Sequence, residues 1–404
     1  MDMGRPGTIL VIGGGLGGLA FAQILRHSPV ADTYKVRIFE RDATPTHRGQ
    51  GYMIAINNAG FSSISTIPHI ASVLNEIKSK DYMANLLDGD LNIRMQLKHA
   101  PGAHGIAGLV NRWKLRTALA EGLEIEWGKR FVRYEEFETY VVAHFDDGSE
   151  VRGDLLIGAD GAKSRVREQR CPALQLRQMP VLNTAGSVAV TPSVRERFPT
   201  IVQLTEKAHV NRALAAGGHS AMWMEFESQD GTPCLLWAFS FPATINSDES
   251  KDPLELKQAI DSHATHLGKE LASFIQGTPV DDYIVEATHY LRAVVPVEGN
   301  PMGRTSRVTL LGDAAHAMTT HKGLGANTAF ADSADLAQAL THVEAPWPAL
   351  AEYEEKMIKR GFEAIKQSNQ GSDTKHAVGV KSVLRNLVIR VLGWLLWTKH
   401  ALFG

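Results

Sequence analysis

The sequence predicts an α/β protein in which a doubly wound, parallel-sheet domain is interrupted by a second, sheet-based domain and followed by a C-terminal helix. Three observations predict it. A short apolar run at 8–12 ends in glycines and leads into a helical pattern at 16–27, then a second apolar run at 34–39; buried parallel strands joined by a helix read this way. Between 184 and 296 the texture changes to short β-rich runs. A third buried run at 308–312 and a long helical pattern at 326–341 then resume the first texture.

The composition suits such a chain. There are 404 residues, 44% hydrophobic and 21% charged, with a net charge of −2; this allows about two domains with full cores and offers no field to attract nucleic acid. Cys171 and Cys234 are the only cysteines, which points away from a disulfide framework and towards a reducing, cytoplasmic setting. Two thiols do not make a cysteine-rich zinc site, and no metal site is expected. Residues 1–7 lack the apolar run of a secretory signal, and no stretch of 18 apolar residues occurs.

Along the chain, 113–121 reads as a helix, and 131–137, 140–145 and 150–157 as three strands of a meander, with Asp146-Asp147-Gly148 as a hairpin turn. In the second domain, 187–191, 221–226 and 233–240 read as strands and 253–275 as two helical pieces. The expected domains are 1–75, 101–183 and 297–370 for the first, 76–100 and 184–296 for the second, and 371–404 for the terminal helix.

Three loops carry nucleotide chemistry. In the first, Gly13, Gly15 and Gly18 have the G-x-G-x-x-G spacing: one glycine for the tight turn, one for close approach of a pyrophosphate, one for packing of helix on strand. Leu16 opens the helix whose N-terminal N–H groups face the phosphates. Glu40, followed by Arg41, ends the next strand about 20 residues on, placed to accept a ribose diol. The second loop is Gly158-Ala159-Asp160-Gly161, followed by Lys163 to Arg167. The third is Gly312-Asp313-Ala-Ala-His316, followed by Gly323, Gly325, Ala326 and Asn327 at the start of a helix; Asp313 can take a ribityl hydroxyl, and the N–H groups there can face an electron-rich part of a ligand.

With these three loops in this order, over about 8–370, the chain resembles the group A flavoprotein monooxygenases, the p-hydroxybenzoate hydroxylase-like superfamily that includes aromatic hydroxylases and tetracycline-inactivating enzymes. The resemblance implies a Rossmann-like FAD-binding domain of that type. The Gly13 loop and Glu40 hold the AMP half of FAD, the Asp160 loop lies near the pyrophosphate and bears on NADPH use, and Asp313 holds the ribityl chain. Asn111-Arg112 before a helix resembles the segment carrying a flavin-contacting arginine, which makes Arg112 that residue; Arg48 is a second flavin or nicotinamide contact. The chain departs from the family at Thr319, Thr320, His321 and Lys322, where many members carry a proline pair. Threonines restore a backbone donor that proline lacks, so the loop beside the flavin ring should differ in shape or polarity. His321 is a possible acid or base facing the substrate.

The resemblance further implies that NADPH reduces FAD and that reduced flavin and O2 form a C4a-hydroperoxide whose distal oxygen attacks an electron-rich carbon. The small-molecule substrate is expected to be apolar or aromatic, polyketide- or terpenoid-like, and hydroxylation, epoxidation and Baeyer–Villiger outcomes are all open. Its pocket is expected from Met222, Met224, Phe226, Trp237 and Phe239, which alternate along two strands, with Trp223 and Glu225 pointing away. The alternatives are another flavoenzyme on this scaffold, such as a reductase or a halogenase (though no Trp-x-Trp-x-Ile-Pro segment is present), and a non-catalytic flavin-binding protein. At 381–403, leucines, valines and two tryptophans at helical spacing are broken by Arg385, Arg390, Lys399 and His400. This suits either a helix packed across the domains or a membrane-surface anchor. Oligomeric state is not legible.

Overall fold

The computed structural model describes residues 7–45, 52–78, 82–99, 106–228, 230–245, 252–284, 288–303, 306–342 and 346–403. A five-stranded parallel sheet forms the first domain, in the order Val308–Leu310, Leu155–Gly158, Gly7–Ile12, Tyr34–Glu40, Ile125–Trp127. Ile9, Leu10 and Val11 are at most 1% exposed, as a strand covered on both faces requires. The helix Leu16–Arg26 packs beside the long helix Gly325–Leu340. The anticipated α/β architecture is therefore present, and the resumed strand at 308 sits beside strands laid down some 150 residues earlier.

The meander differs from expectation in one respect. The run 150–157 is two strands in two sheets: Glu150–Gly153 pairs antiparallel with Val141–Phe145, while Leu155–Gly158 joins the parallel sheet. Asp154 is the pivot, its carboxylate accepting from the Thr8 backbone N–H at 2.7 Å. A Cβ on Gly153 would lie 2.6 Å from Leu10 Cγ, so the chain turns where no side chain fits.

A seven-stranded sheet forms the second domain, in the order His289–Val294, Leu176–Ala189, Pro233–Pro242, Ser220–Glu227, Val210–Leu214, Tyr82–Asp88, Ile93–His99. The strand Leu176–Ala189 has 14 residues and runs through the expected boundary at 183. The helices Pro199–Lys207, Pro253–Ala264 and Lys269–Gln276 cover its back and close a separate core around Trp223, Trp237, Phe239 and Phe274.

The helix Pro346–Lys375 continues past the expected end of the first domain and is followed by the helix Gly379–Phe403. This last helix packs on the edge strand Ile93–His99 and the turn Ala216–Gly218. Gly393 allows a close approach, since a Cβ there would collide with the Arg94 carbonyl. Arg385, 7% exposed, donates to the Lys375 carbonyl at 2.8 Å. The outward side is bare: Val383, Leu387, Trp394 and Trp397 are 56–68% exposed. Among the described residues, no helix is long and apolar enough to cross a membrane.

Candidate active site

The first and second loops meet at the ends of neighbouring strands. Gly13 has φ +118°, and a Cβ there would collide with the Ala159 carbonyl, so only glycine fits. Gly18 lies against the Gly13 carbonyl and Ala159, while a Cβ on Gly15 would meet nothing within 4 Å. The three positions thus hold a tight turn at Gly13, close helix–strand packing at Gly18 and open space at Gly15. Leu16 itself is buried in the core. A cleft of about 210 Å³ opens here, lined by Gly13 to Gly15, Glu40, Arg41, Arg112, Arg116 and Asp160 among others.

Glu40 is buried, with one carboxylate oxygen accepting from Gly14 N at 2.8 Å and the other from Asp42 N at 3.0 Å. The acid thus shapes the glycine turn while facing the cleft. Asp160 accepts from Ser164 Oγ and, at 2.9 Å, from the Arg165 backbone N–H at the start of the short helix Arg165–Arg170, which Ser164 caps; burial raises its carboxyl pKa against the lowering effect of those donors.

Arg112 starts the helix Arg112–Ala120, capped by Asn111 Oδ1. Its guanidinium lies 5.6 Å from the Tyr52 ring centroid, and Nη1 is buried without a hydrogen-bond partner. A buried guanidinium N–H left unpaired costs about 1–3 kcal/mol, so this atom fits an acceptor supplied by a ligand. Asp313 is exposed at the third loop, in the field of Arg112 and Arg167, and a Cβ on Gly325 would lie 3.5 Å from its Oδ1. The third loop therefore approaches the first two through Arg112, although Asp313, Gly323, Gly325, Ala326 and Asn327 do not line the cleft itself. Together the open Gly15, the unpaired Arg112 N–H and the accessible Asp313 carboxylate fit an extended dinucleotide with a polyol segment.

Asn327 is engaged elsewhere. Its Nδ2 donates to the Ala55 and Gly323 carbonyls, and its Oδ1 accepts from the Asn57 N–H at 2.8 Å, so the side chain fastens strand Met53–Asn57 to the helix start. Gly323 adopts φ +64° at the turn. Arg48 lies outside the described residues. Two arginines went unrecognised in the sequence. Arg116 donates to the Gly14 carbonyl at 3.0 Å. Arg167, 1% exposed, donates to the Ala314 carbonyl at 3.1 Å and ties the second loop to the third. Arg167 stands in the quoted second-loop run, and Arg116 lies one helical turn past Arg112; helical spacing could have raised the latter.

The loop that departs from the family pattern is held by hydrogen bonds where proline would have held it. Thr319 Oγ1 donates to the Ser368 carbonyl at 3.0 Å and accepts from Ser372 Oγ at 2.9 Å. Lys375 Nζ donates to the His321 carbonyl, and His321 Nδ1 bonds Ser372 Oγ at 2.5 Å. Burial, then the neighbouring Lys375, Arg212 and His376, push His321 far below the ordinary histidine range. His321 is therefore neutral at pH 7 and makes a poor proton donor there. His316, by contrast, is sealed in the core with Asp332 Oδ2 2.6 Å away, and Arg360 binds the other oxygen of that carboxylate at 2.7 Å.

The register of the seven-stranded sheet corrects the expected pocket. Trp223 pairs with Trp237 and Ala221 with Phe239, whereas Met222 pairs with Ala238 and Met224 with Leu236. Trp237 and Phe239 thus share the back face with Trp223 and are 0% exposed in the helix-covered core; Trp237 Nε1 donates to Thr278 Oγ1 at 2.9 Å. Alternation along each strand was read correctly, but the register puts the two sets on opposite faces. Met222, Met224 and Phe226 occupy the front face. Arg212, opposite Met222, donates to Ser220 Oγ and Met222 Sδ. His376 bonds Ser240, which shares this face, with Nε2 3.3 Å from Oγ.

A parallel-sheet domain with a glycine loop, an acid at the end of the second strand and two converging loops defines a flavin dinucleotide-binding protein. The chain belongs to the FAD binding domain family, whose model matches residues 7–368, and is an oxidoreductase of the FAD-dependent monooxygenase class. The FAD-dependent monooxygenase thnD of Trichoderma harzianum is 28% identical over 399 residues, covering 93% of this chain and 95% of that one. The Penicillium herquei enzyme phnB is 27% identical, covering 93% and 92%. Klebsiella pneumoniae HpxO, solved with FAD and uric acid, has the same fold (TM-score 0.75, 20% identity, 95% and 92% covered). The resemblance drawn from the three loops is borne out.

Proposed function

We propose that this monooxygenase consumes NAD(P)H and places one atom of O2 on a small aromatic or polyketide-like substrate lying between the flavin and the front face of the seven-stranded sheet. The observation that carries the reading is the convergence of the first two loops on a cleft beside the buried, unpaired Nη1 of Arg112, with the third loop tied to the second through Arg167. When bound, FAD supplies the redox chemistry with NAD(P)H and O2; the protein binds, orients and excludes water. In this reading Glu40 and Arg41 flank the adenosine half. The Gly13–Gly15 turn and the following helix N-terminus hold the pyrophosphate, and Arg112 and Asp313 meet the ribityl side.

The front face also refines the substrate. Arg212 and Met222 pair on the sheet, and burial, then the charges of Arg212 and Lys322, push the Lys375 amine well below its ordinary range. Arg212 beside Met222 suits an aromatic compound bearing a phenolate or carboxylate. Neutral His321, fixed by Ser372, positions it. The purified protein should show flavin absorption bands, and NADPH oxidation should quicken with a hydroxylated aromatic acid and not with its methyl ester. A colourless protein that takes up no FAD would sink this reading.

For location, we infer that the bare side of the helix Gly379–Phe403 rests on an anionic membrane surface. Val380, Leu384, Leu387, Val388, Val391 and Leu395 form a continuous exposed stripe, with Lys381 on one flank and Arg390 on the other. No acidic residue lies between 379 and 403. An apolar stripe flanked by exposed cations suits the lipid interface.

A further inference from the structure

On the back of the seven-stranded sheet, outside the cleft lining, the fold assembles three histidines. His219 precedes the strand Ser220–Glu227. His263 lies in the last turn of the helix Pro253–Ala264, and exposed His266 follows it. One nitrogen from each lies within 4.8 Å of the others.

Hydrogen bonds settle the tautomers. His219 Nδ1 lies 2.9 Å from the Ala216 carbonyl and His266 Nδ1 lies 3.2 Å from the His263 carbonyl. A carbonyl only accepts, so both Nδ1 atoms carry the proton and both Nε2 atoms present lone pairs. His219 Nε2 is 3.0 Å from His263 Nδ1, which must then be the donor of that bond. An imidazole whose far N–H is tied to a carbonyl and whose near nitrogen is bare is the form in which proteins present histidine to a metal. Aromatic stacking fixes two of the rings: His263 on Phe241 at 4.0 Å, and His219 on Phe239 at 6.0 Å.

We propose that His219, His263 and His266 form a binding site for a first-row divalent cation, zinc foremost. Three imidazoles with an open fourth position for water are an ordinary zinc ligand set, and imidazole selects zinc, copper and nickel over magnesium or calcium. Tetrahedral zinc with bonds of about 2.0–2.1 Å sets neighbouring nitrogens about 3.4 Å apart. The cation replaces the proton between His219 and His263, and that separation opens by a few tenths of an ångström. The displaced proton moves to His263 Nε2, so the ring stays neutral. His266, now stacked on His219 at 3.9 Å, turns to bring its Nε2 to the metal. The bound ion would clip the Ala216–Gly218 turn to the end of the helix.

The test titrates the full-length, FAD-loaded protein, stripped of metal, with ZnCl2 against a chromophoric zinc chelator, and measures Tm with and without zinc. One zinc per chain should bind in the micromolar range or tighter and raise Tm. His266→Gln, at an exposed position, and His219→Gln should each weaken binding at least tenfold and abolish the Tm rise, with the flavin spectrum unchanged. The absence of a stoichiometric site, or an affinity the same in both variants as in the parent, would overturn the proposal.

Discussion

Single residues divide the proposed flavin site into parts that shape the glycine turn and parts left unpaired. Glu40 and Arg116 spend hydrogen bonds on the glycine turn, whereas the Nη1 of Arg112 has no such use. Replacing Arg112 with Ala removes a charge-assisted hydrogen bond worth about 1.5–3 kcal/mol. FAD affinity should then fall roughly 10- to 100-fold with little change in Tm of the apoprotein. Glu40→Ala should lower flavin content and Tm together, because it also frees the Gly14 and Asp42 N–H groups. Flavin-to-protein absorbance ratios after dialysis check both. A variant pair that retained full FAD would remove the assigned roles. At this scale the sequence was most readable where chemistry is local. Gly13, Gly15 and Gly18 declare their spacing within six residues. Asn327, equally suggestive in the sequence, is consumed by a strand some 270 residues away, which no local pattern reveals.

At the scale of elements, the limit of sequence reading is register. Alternation along Ser220–Glu227 separates Met222 and Met224 from Trp223, and this held. The pairing of Trp223 with Trp237 is a long-range fact decided by the back core, and it moved Trp237 and Phe239 away from the expected pocket. The division of 150–157 between two sheets turns likewise on Asp154 meeting Thr8. The histidine trio shows the same limit, since His263 and His266 are neighbours in sequence but His219 is not. The terminal helix offers a prediction of its own. Gly393→Val forces a side chain against the Arg94 backbone, so the helix should lift and become susceptible to limited proteolysis. Trp394→Ser with Trp397→Ser should leave packing unchanged and reduce co-sedimentation with phosphatidylserine vesicles several-fold. Equal sedimentation of parent and double variant would dismiss the lipid contact.

For the whole molecule, stability should carry an acid limb set by buried neutral histidines. Burial holds His219 and His376 down to about 4 and His321 lower still. The unfolded chain takes up these protons near pH 6.5 and the native chain does not, so each group withdraws stability as pH falls from 6.5 towards 4. The slope reaches up to about 1.4 kcal/mol per pH unit for each fully depressed group. His316 acts in the opposite sense: burial opposes its charge, but Asp332 raises its pKa, and its contribution is lost at higher pH. Tm should therefore drop steeply between pH 6.5 and 4. His376→Gln should flatten that drop. A Tm independent of pH across this window would contradict the burial of these rings.

The anchoring of the Thr319–Lys322 loop carries a mechanical consequence. Arg385, on the last helix, grips the carbonyl of Lys375, and the Lys375 ammonium grips the carbonyl of His321. Two handholds thus connect the tail to the Thr319–Lys322 loop. On the proposed reading, in which this loop borders the substrate, whatever tugs on the tail also adjusts the substrate's seat, so a chain shortened at residue 378 should still colour yellow yet couple NADPH oxidation to product less tightly.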